Sequence, residues 1–518
     1  MLSFKGISKK TWVLGQNPVS RELELKFGPV AAKVLANRNV NAEYILEGFS
    51  LILRAGEVFK VEQAVEEIAK AVISKERIVI FADGDVDGIT GCVLLYSVLK
   101  ALGGRVSVVF SSRKRGYGLN LELLRKLEAL GSVLITVDNG ITSAKELSLT
   151  KMKTIVIDHH NPADSLPRAI VLSSKAYENE EVRGLSSAGM VFYLCRELIR
   201  RFNSELDLRS YLPLVALGTV ADVMPLSAVN RRFVLAGIKI LNKSLELNIQ
   251  RVGIVEMIRF FGIEKVDMKE LSYGIIPRLN APGRLGRPDM SFRLLVSKDI
   301  FDIKNLLKKI ENLNRYRKYL TRTALKSAIS GLRDGNVLVA WIQKEMGPVG
   351  GIVASRLASI FAKPAVVLHE DGELLKGSFR APGIDIFSLV KGLSVYLERF
   401  GGHKSAVGFS IKRQNLEAFL DSIDSILGTF PQQEFIIDDE LDMKMVSKEV
   451  FNQIKPLEPF GEGFPEPVFV SKPYFDLKLY FENDFHRRYI RSKDIKVIYS
   501  LGKSPGSFIV KDVVYGSF

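Results

Sequence analysis

The spacing of apolar residues changes character several times along the 518-residue chain. Up to about residue 75 apolar residues recur at helical spacing, and this region ends in the amphipathic stretch 61–73. Short β-rich runs then alternate with longer helical segments, as in a parallel α/β sheet with crossover helices. The predicted strands of this sheet are residues 77–81, 106–110, 132–137 and 154–157.

The second half of the chain begins with a long, charged and helically periodic stretch that predicts a helix connecting two lobes. A second α/β pattern follows, with predicted strands at 337–342, 365–368 and 406–411. Beyond Pro431, short β-like runs punctuated by glycine and proline predict a small β-barrel of OB type. We therefore expect a helical lead-in (1–75), a parallel-sheet α/β domain (76–299), a connecting helix (300–335), a smaller α/β domain (336–430) and an OB-like β module (431–518).

Composition narrows the class of protein. Hydrophobic residues make up 47% and charged residues 25% of the chain, which is the balance of a soluble globular protein. The longest apolar runs are about half the length that a bilayer crossing needs, and the amino terminus lacks the pattern of a secretory signal, so we expect a cytoplasmic protein. Cys92 and Cys195 lie in apolar helical patterns, which excludes a disulfide framework and indicates core residues.

The net charge of +15 favours a polyanionic partner, because lysines and arginines that neutralise phosphates gain affinity from counterion release. A charge-rich surface that serves solubility would give the same sum, so charge alone leaves both interpretations open.

Acidic residues and histidines recur at the ends of four apolar, strand-like runs. The segments are FADGDVDG (Asp83, Asp85, Asp87), TVDNG (Asp138), VIDHH (Asp158, His159, His160) and GTVADVMPL (Asp222). Because the carboxyl ends of parallel strands form one crevice, we expect these side chains to converge. Converging carboxylates repel each other and favour a bound divalent metal, and a set that includes imidazole suits Mn²⁺ better than Mg²⁺.

Each acidic segment also has a purely structural interpretation. Asp-Gly pairs form turns, and an aspartate that follows a strand is often a helix cap. Two adjacent histidines at a strand end are hard to explain as core packing. The whole set, in this order, is therefore interpreted as a metal site, where two ions could turn a water into a nucleophile.

The ordered set DVDG, DNG, DHH and ADVMPL resembles the four motifs of the DHH phosphoesterases. The resemblance implies a DHH domain, a smaller DHH-associated domain, and two Mn²⁺ ions, with Mg²⁺ as the alternative. The implied metal ligands are Asp83, Asp85, Asp87, Asp138, His159 and Asp222. Three of the motif residues have implied catalytic roles: Asp138 bridges the two ions, His160 faces the scissile phosphate, and Asp158 orients the ligand histidine.

Further segments resemble the RecJ family of DHH exonucleases. They are residues 115–120, 185–194, 277–286, 350–358, 376–381, 401–409 and 457–469. The resemblance implies that phosphate or nucleic acid is bound by Arg278, Asn280, Arg284, Ser378, Arg380, Gly401, Gly402 and His403. The prolines and glycine around Arg278 predict a rigid loop. A solvated loop there, and a tight turn at the Gly-Gly-His segment, are the structural alternatives.

Two more sets of residues could contact a strand. Tyr316, with Arg315 and Arg317, could line a channel, although a basic helical face is often only solvated. In the OB-like module, aromatic and basic residues are interleaved at Phe481, Phe485, Arg487, Arg488, Tyr489 and Arg491. The alternative is that these aromatics form the core of the barrel.

The function implied by the resemblance is a single-stranded-DNA-specific exonuclease of DNA repair and recombination. It would release mononucleotides by two-metal hydrolysis, and the 5′ to 3′ polarity rests on the resemblance alone. A DHH-type phosphodiesterase of oligonucleotides or cyclic dinucleotides is the alternative enzyme, and a non-catalytic single-strand-binding replication factor is the alternative from another class. Single-stranded DNA is the expected partner, with a single-strand-binding protein and a helicase as candidates, and we expect a monomer without membrane contact.

Overall fold

The computed structural model describes most of the chain. The described residues are 3–6, 10–38, 45, 48, 50–111, 119–162, 165–226, 228–247, 252–381, 383–428, 434–474, 476–481, 487, 490, 495–502, 504 and 506–515. None of the helices in these ranges combines the length and the apolar character that a bilayer crossing needs.

The described residues form the following strands and α-helices, in chain order. The strands are β1 Ser3–Lys5, β2 Thr11–Leu14, β3 Arg77–Ala82, β4 Arg105–Phe110, β5 Val133–Val137, β6 Lys153–Ile157, β7 Ile170–Leu172, β8 Leu338–Trp341, β9 Ala365–Asp371, β10 Leu374–Arg380, β11 Leu397–His403, β12 Ala406–Lys412, β13 Glu434–Ile437, β14 Asp439–Glu440, β15 Phe469–Ser471, β16 Lys478–Phe481, β17 Ile495–Leu501 and β18 Ser507–Tyr515. The α-helices are α1 Arg21–Phe27, α2 Pro29–Asn37, α3 Ser50–Val58, α4 Glu62–Ile73, α5 Val86–Ala101, α6 Leu121–Leu130, α7 Ala144–Leu147, α8 Glu180–Arg183, α9 Ser187–Arg201, α10 Leu212–Ala221, α11 Ala228–Glu246, α12 Val252–Phe260, α13 Ile276–Arg284, α14 Pro288–Val296, α15 Ile300–Ser330, α16 Gly350–Phe361, α17 Ile386–Gly392, α18 Leu416–Gly428 and α19 Lys448–Ile454.

The chain forms two compact units, Gly48–Thr323 and Met1–Glu47 together with Ala324–Phe518. The first unit contains a five-stranded sheet in the order β4-β3-β5-β6-β7, and each neighbouring pair of strands is parallel. The predicted parallel sheet is confirmed. Because a doubly covered parallel sheet buries both faces, its strands are almost continuously apolar.

Alternate residues of these strands enter two separate cores. Ile78 and Ile80 of β3 join a large core with residues of α5, α9, α10 and α11. Val79 and Phe81 join a smaller core with Leu124 of α6 on the opposite face. The period-2 alternation of a strand therefore places helices on both sides of the sheet.

The apolar block before Asp222 is a helix, where the sequence pattern favoured a strand. In α10, Pro213 occupies the first turn, where its missing N–H costs nothing, and every residue from Leu212 to Val220 is buried. A helix that is apolar all round has no helical periodicity, so its pattern resembles that of a buried strand.

The second unit contains a mixed sheet in the order β11-β12-β10-β9-β8, in which only the pair β8 and β9 is parallel. β10 and β11 were not predicted as strands. Their sequences, LLKGSFR and LERFGGH, contain glycines and charges that dilute the β signal. A further five-stranded sheet, in the order β14-β15-β17-β18-β16, forms the predicted C-terminal β module.

The amino-terminal residues differ from the expected helical lead-in. β2 pairs with β1 and, in parallel, with β13, so these two amino-terminal strands form a three-stranded sheet with a strand from the carboxyl-terminal part of the chain. Trp12 Nε1 donates to the buried Asp512 carboxylate at 2.8 Å. These strands are so short, and their partner so distant in sequence, that no local pattern could reveal the pairing.

Candidate active site

The strand ends of the parallel sheet place the acidic residues in one row. The last residues of β3, β5, β6 and β7 are partners in register, namely Ala82, Val137, Ile157 and Leu172. The backbone N–H groups of Asp83, Asp138 and Asp158 donate to the last carbonyl oxygen of the neighbouring strand at 3.0, 2.9 and 3.1 Å. The sheet therefore aligns these three residues at its carboxyl edge.

His159 lies at the centre of one group of carboxylates. Its Nε2 atom is 3.0 Å from Asp222 Oδ2, 3.2 Å from Asp138 Oδ1 and 3.9 Å from Asp87 Oδ2. Asp87 belongs to the first turn of α5, and Asp222 follows the last turn of α10. Helices and strands thus both contribute to the cluster.

Asp83 and Asp85 form a second group with Asp138, and one carboxylate oxygen of each lies within 4.8 Å of the others. Asp138 belongs to both groups, which is the position that a bridging ligand would need. Asp85 also caps α5, because its side chain accepts from the N–H of Gly88 at 3.2 Å. The structural and the functional interpretation of Asp85 are therefore compatible.

Burial and mutual repulsion raise the pKa of the central carboxyl groups. Desolvation, reinforced by neighbouring carboxylates, raises the pKa of Asp85 to about 7 and that of Asp138 well above its ordinary value. Burial also raises the pKa of Asp87, although the charge of His159 opposes it. Burial alone would lower the pKa of His159, but Asp222 and other carboxylates raise it to about 9. The cluster holds more negative charge than its histidine can balance, so a divalent cation would stabilise it.

Asp158 is bonded to His160, the second histidine of the motif. The resemblance had implied that Asp158 would orient the ligand histidine, His159. The Oδ1 atom of Asp158 is 2.7 Å from His160 Nδ1 and accepts the backbone N–H of His160 at 3.1 Å, while Oδ2 accepts from Ile141. Burial opposes ionisation of Asp158, but His160 and the Ile141 N–H outweigh it and lower the pKa of the carboxyl group. The Asp158 carboxylate thereby fixes the orientation of the His160 ring through Nδ1.

Two residues of the site have left-handed backbone. Asp138 has φ of 63° and Val223, directly after Asp222, has φ of 52°. A left-handed conformation is uncommon for aspartate and strained for a β-branched residue, and such strain concentrates at functional sites. Val223 is 62% exposed, so no buried contact of its own side chain accounts for its conformation.

Sequence reasoning assigned no role to two serines that contact the acidic cluster. The Ser111 hydroxyl donates to Asp83, and the Ser187 hydroxyl donates to Asp138 Oδ1 at 3.0 Å. Ser111 follows β4 and continues the row of strand ends, and its N–H donates to Ala82 O at 2.9 Å. The position directly after each strand of the sheet was the signal that could have identified Ser111.

The segment around Arg278 is the helix α13, not the expected loop. Arg278 Nε donates to Glu311 at 2.9 Å, and its guanidinium carbon lies 3.9 Å from the centroid of the Phe261 ring. Asn280 Oδ1 accepts the N–H of Val86 at 3.1 Å and so supports the loop that carries Asp85. Arg278 and Asn280 thus have protein partners, and Arg284, at the last position of α13, is partly buried.

In the second unit the expected phosphate contacts share one part of the mixed sheet. Gly401, Gly408 and Ser378 are neighbours across β11, β12 and β10, and His403, Ala406 and Arg380 form the row two residues further along. A Cβ on Gly351, in the first turn of α16, would lie 2.7 Å from Arg380 Nη2 and 3.9 Å from Ser378 Oγ. Backbone N–H groups, a hydroxyl and a guanidinium therefore converge as in an anion site.

The two glycines of the Gly-Gly-His segment have different surroundings. A Cβ on Gly401 would meet open space, so a ligand could approach its backbone closely. Gly402 has φ of 146°, and a Cβ there would lie 2.1 Å from Ala406 O. Gly402 is therefore required by the hairpin between β11 and β12.

Tyr316 and Tyr319 form an exposed aromatic pair on α15. The two residues are 51% and 63% exposed, and their ring centroids lie 6.5 Å apart at an interplanar angle of 22°. Arg315 pairs with Glu311 at 3.6 Å, and Arg317 Nη2 donates to Asn314 at 3.0 Å. Of the three expected channel residues, Tyr316 and Arg315 are exposed and Arg317 is partly buried.

The aromatic and basic residues of the C-terminal module are only partly described. Phe481 ends β16, and the Arg487 guanidinium carbon lies 5.4 Å from the centroid of its ring. Phe485, Arg488, Tyr489 and Arg491 lie outside the described residues.

The fold and the cluster at its strand ends define a protein of the DHH class. The model of the DHH family, N-terminal domain, matches residues 77–219, and the DHHA1 domain matches residues 334–429. The RecJ OB domain matches residues 437–494. The chain belongs to the RecJ family.

Individual relatives agree with this assignment. The single-stranded-DNA-specific exonuclease RecJ of Dickeya dadantii is 30% identical over 79% of this chain and 77% of the relative. RecJ of Bacillus subtilis is 31% identical over 78% of this chain, which spans only 53% of the length of that relative. The crystal structure of RecJ with Mn²⁺ from Thermus thermophilus has a TM-score of 0.79 and 25% identity, and the match covers 98% of this chain and 80% of that chain.

Proposed function

We propose that the protein is a metal-dependent exonuclease specific for single-stranded DNA. The observation that carries the proposal is the buried cluster in which Asp138 adjoins both groups of carboxylates and His159. The similarity to single-stranded-DNA-specific exonucleases supports single-stranded DNA as the substrate, and the net positive charge of the chain suits a polyanion. The 5′ to 3′ polarity rests on family resemblance.

The donor set fits divalent cations. Oxygen ligands from Asp83, Asp85, Asp87, Asp138 and Asp222, with one imidazole from His159, suit Mn²⁺ and also Mg²⁺. When bound, such ions lower the pKa of a coordinated water and neutralise charge on the phosphodiester. The chain itself keeps the cluster buried and aligns its members through the sheet ladder.

His160 is the group best placed to act on the substrate without holding a cation. Asp158 fixes its Nδ1 atom, and its side chain retains 18% exposure at the rim of the cluster. We therefore assign His160 to a hydrogen bond with the scissile phosphate and Asp158 to the orientation of His160, not of His159.

His160→Gln is expected to lower kcat about 10²-fold to 10⁴-fold, the range for loss of a group that acts in the transition state. Mn²⁺ content should stay at the wild-type level, because the cation ligands are untouched. Single-turnover kinetics with elemental analysis would measure both quantities. Loss of bound Mn²⁺ in this variant would instead assign His160 to the ligand set.

The region that matches the DHHA1 domain is proposed to hold a phosphate of the DNA strand. The groups that would bind it are Ser378, Arg380, His403 and the backbone of Gly401. Two observations support this assignment: these residues are neighbours across adjacent strands of the sheet, and the first turn of α16 lies beside Arg380 and Ser378. Arg284 is also proposed to bind a phosphate of the DNA strand. Arg278 and Asn280 are better explained as supports of α13 and of the Asp85 loop.

Tyr316 and Tyr319 are proposed to stack on bases of the strand, because their exposed rings form a platform with no sequence preference. Replacing both with alanine is expected to lower affinity for single-stranded DNA by about 10-fold to 100-fold, since base stacking contributes about 1–3 kcal/mol. Fluorescence anisotropy with poly-dT and a mixed sequence would measure the loss. Tyr273→Ala, at a residue 78% exposed in the same unit, is the matched control, and equal effects of the two changes would contradict the platform.

The test of the whole proposal is hydrolysis of end-labelled single-stranded DNA with Mn²⁺. Mononucleotides should be released from one end, and the position of the label reports the polarity. Preferential cleavage of a dinucleotide or cyclic dinucleotide would favour the alternative phosphodiesterase, and binding without cleavage would favour a replication factor. We also propose that the enzyme works in the cytoplasm as a monomer, with a single-strand-binding protein and a helicase as candidate partners in repair and recombination.

A further inference from the structure

The carboxylate of Asp87 is held by the first turn of α9. The Ser187 N–H donates to Asp87 Oδ2 at 2.7 Å, and the Ala188 N–H donates to Oδ1 at 3.0 Å. Ser186 caps the same helix by accepting from the Gly189 N–H at 3.2 Å. The first N–H groups of a helix have no partner within it, so a buried carboxylate there is both hydrogen-bonded and favoured by the helix dipole.

Gly218 of α10 also lies against this carboxylate. A Cβ at Gly218 would lie 2.3 Å from Asp87 Oδ1 and 2.9 Å from the Ala188 side chain. Any side chain at position 218 would therefore displace the carboxylate or the first turn of α9. The close approach requires glycine for its size, since Gly218 lies within a regular helix.

The Ser187 side chain extends this arrangement to a second carboxylate. Its hydroxyl donates to Asp138 Oδ1 at 3.0 Å, and the same oxygen lies 3.2 Å from His159 Nε2. Ser187 is fully buried. One residue thus bonds Asp87 through its backbone and Asp138 through its side chain, although Asp87 lies in the helix α5 and Asp138 follows the strand β5.

We propose that Ser187 is a positioning residue, which fixes the Asp87 and Asp138 carboxylates relative to each other before a cation binds. The inference rests on the proposed function, in which both carboxylates are metal ligands. Like charges in a buried site separate unless they are held, so the hydrogen bonds from Ser187 preorganise the site for a cation. Ser187 lies within the segment 185–194 and Gly218 begins the segment GTVADVMPL, but the resemblance assigned no role to either residue, and the geometry does.

The test compares Mn²⁺ binding by wild-type and variant proteins in the absence of DNA, with isothermal titration calorimetry and electron paramagnetic resonance. Ser187→Ala keeps the backbone bond to Asp87 and removes only the bond to Asp138, and it is expected to weaken Mn²⁺ binding about 10-fold to 100-fold, the range for lost outer partners of metal ligands. Ser187→Thr, which keeps the hydroxyl, should restore most of the affinity. Saturating Mn²⁺ should recover much of kcat in Ser187→Ala, which a merely structural defect would not allow.

Ser291→Ala is the matched control, because this fully buried serine donates to the Leu279 carbonyl oxygen at 2.8 Å and to no carboxylate. Its Mn²⁺ affinity should equal that of the wild type. Gly218→Ala gives an independent measurement through a different contact of Asp87 and is expected to weaken Mn²⁺ binding more than Ser187→Ala. Wild-type affinity in a folded Ser187→Ala or Gly218→Ala protein would overturn the positioning role alone, whereas a wild-type protein that binds no Mn²⁺ would overturn the proposed function as well.

Discussion

Asp138→Asn is expected to reduce hydrolysis of single-stranded DNA by at least about 10³-fold, because groups that act as a unit in catalysis fail together when one is removed. Asparagine is the sharper substitution than alanine at this position. It tolerates the left-handed backbone of Asp138 and can still accept the Ser187 hydroxyl, so the change removes charge and little else. Mn²⁺ binding should weaken for the whole site, since Asp138 adjoins both groups of carboxylates.

The melting temperature of Asp138→Asn provides a measurement that is separate from its activity. Burial and repulsion raise the pKa of Asp138, which means that its charged form is unfavourable in the folded protein without a cation. Metal-free Asp138→Asn should therefore melt at the same temperature as the wild type or higher. Asp207→Ala, at a half-exposed aspartate of the same unit, is the control for activity. Retention of more than a few per cent of wild-type activity in Asp138→Asn would contradict the bridging assignment.

Arg38→Ala is expected to destabilise the carboxyl-terminal module by about 3–5 kcal/mol, the usual cost of leaving one partner of a buried ion pair alone. Arg38 directly follows α2, and its Nε and Nη2 atoms donate to the two oxygens of Asp438 at 2.9 and 2.8 Å. The Asp438 side chain is fully buried. Chemical denaturation followed by the near-ultraviolet signal of this region, which contains Trp12, would measure the loss.

The pH dependence of the stability of Arg38→Ala distinguishes the loss of a charge interaction from the loss of packing. Burial raises the pKa of Asp438 although Arg38 opposes it, and removal of Arg38 should raise that pKa further. A carboxyl group whose folded pKa is raised favours folding below its unfolded pKa, near about 3.9, and this contribution is lost as pH rises through the folded pKa. The stability difference between wild type and Arg38→Ala should therefore shrink as pH falls toward about 4. A difference independent of pH would assign the effect to packing. Arg21→Ala, at an exposed arginine of α1, is the control.

The amino-terminal helices pack against the C-terminal module, and this packing limits how the module can be studied. Phe27, Val30 and Leu35 of the amino-terminal helices share one core with Val497 and Phe508 of the module. Removing residues beyond 431 would expose these apolar side chains, so such a truncation would not report on DNA binding alone. Point substitutions on the exposed face of β16 are the better probe.

Local sequence determined much of the catalytic unit. Parallel strands that are buried on both faces must be apolar throughout, so their ends are visible in the sequence as the first acidic residues, Asp83, Asp138 and Asp158. The order of a parallel α/β chain then places those ends along one edge, without any knowledge of tertiary contacts. The metal cluster could be anticipated for this reason, and so could the long helix α15.

Tertiary structure decided what local patterns leave ambiguous. α10 is apolar on every side, so periodicity could not distinguish it from a strand, and Arg278 lies in a helix despite two nearby prolines. The contacts of Ser187 and Gly218 with Asp87 depend on three helices meeting at the sheet edge. The pairing of β2 with β13 joins residues more than 400 positions apart, where short strands carry no signal of their partner. Sequence determines which residues end a buried strand, because burial acts on each residue locally, whereas the partners of a hydroxyl, a glycine or an arginine are set only when distant elements pack together.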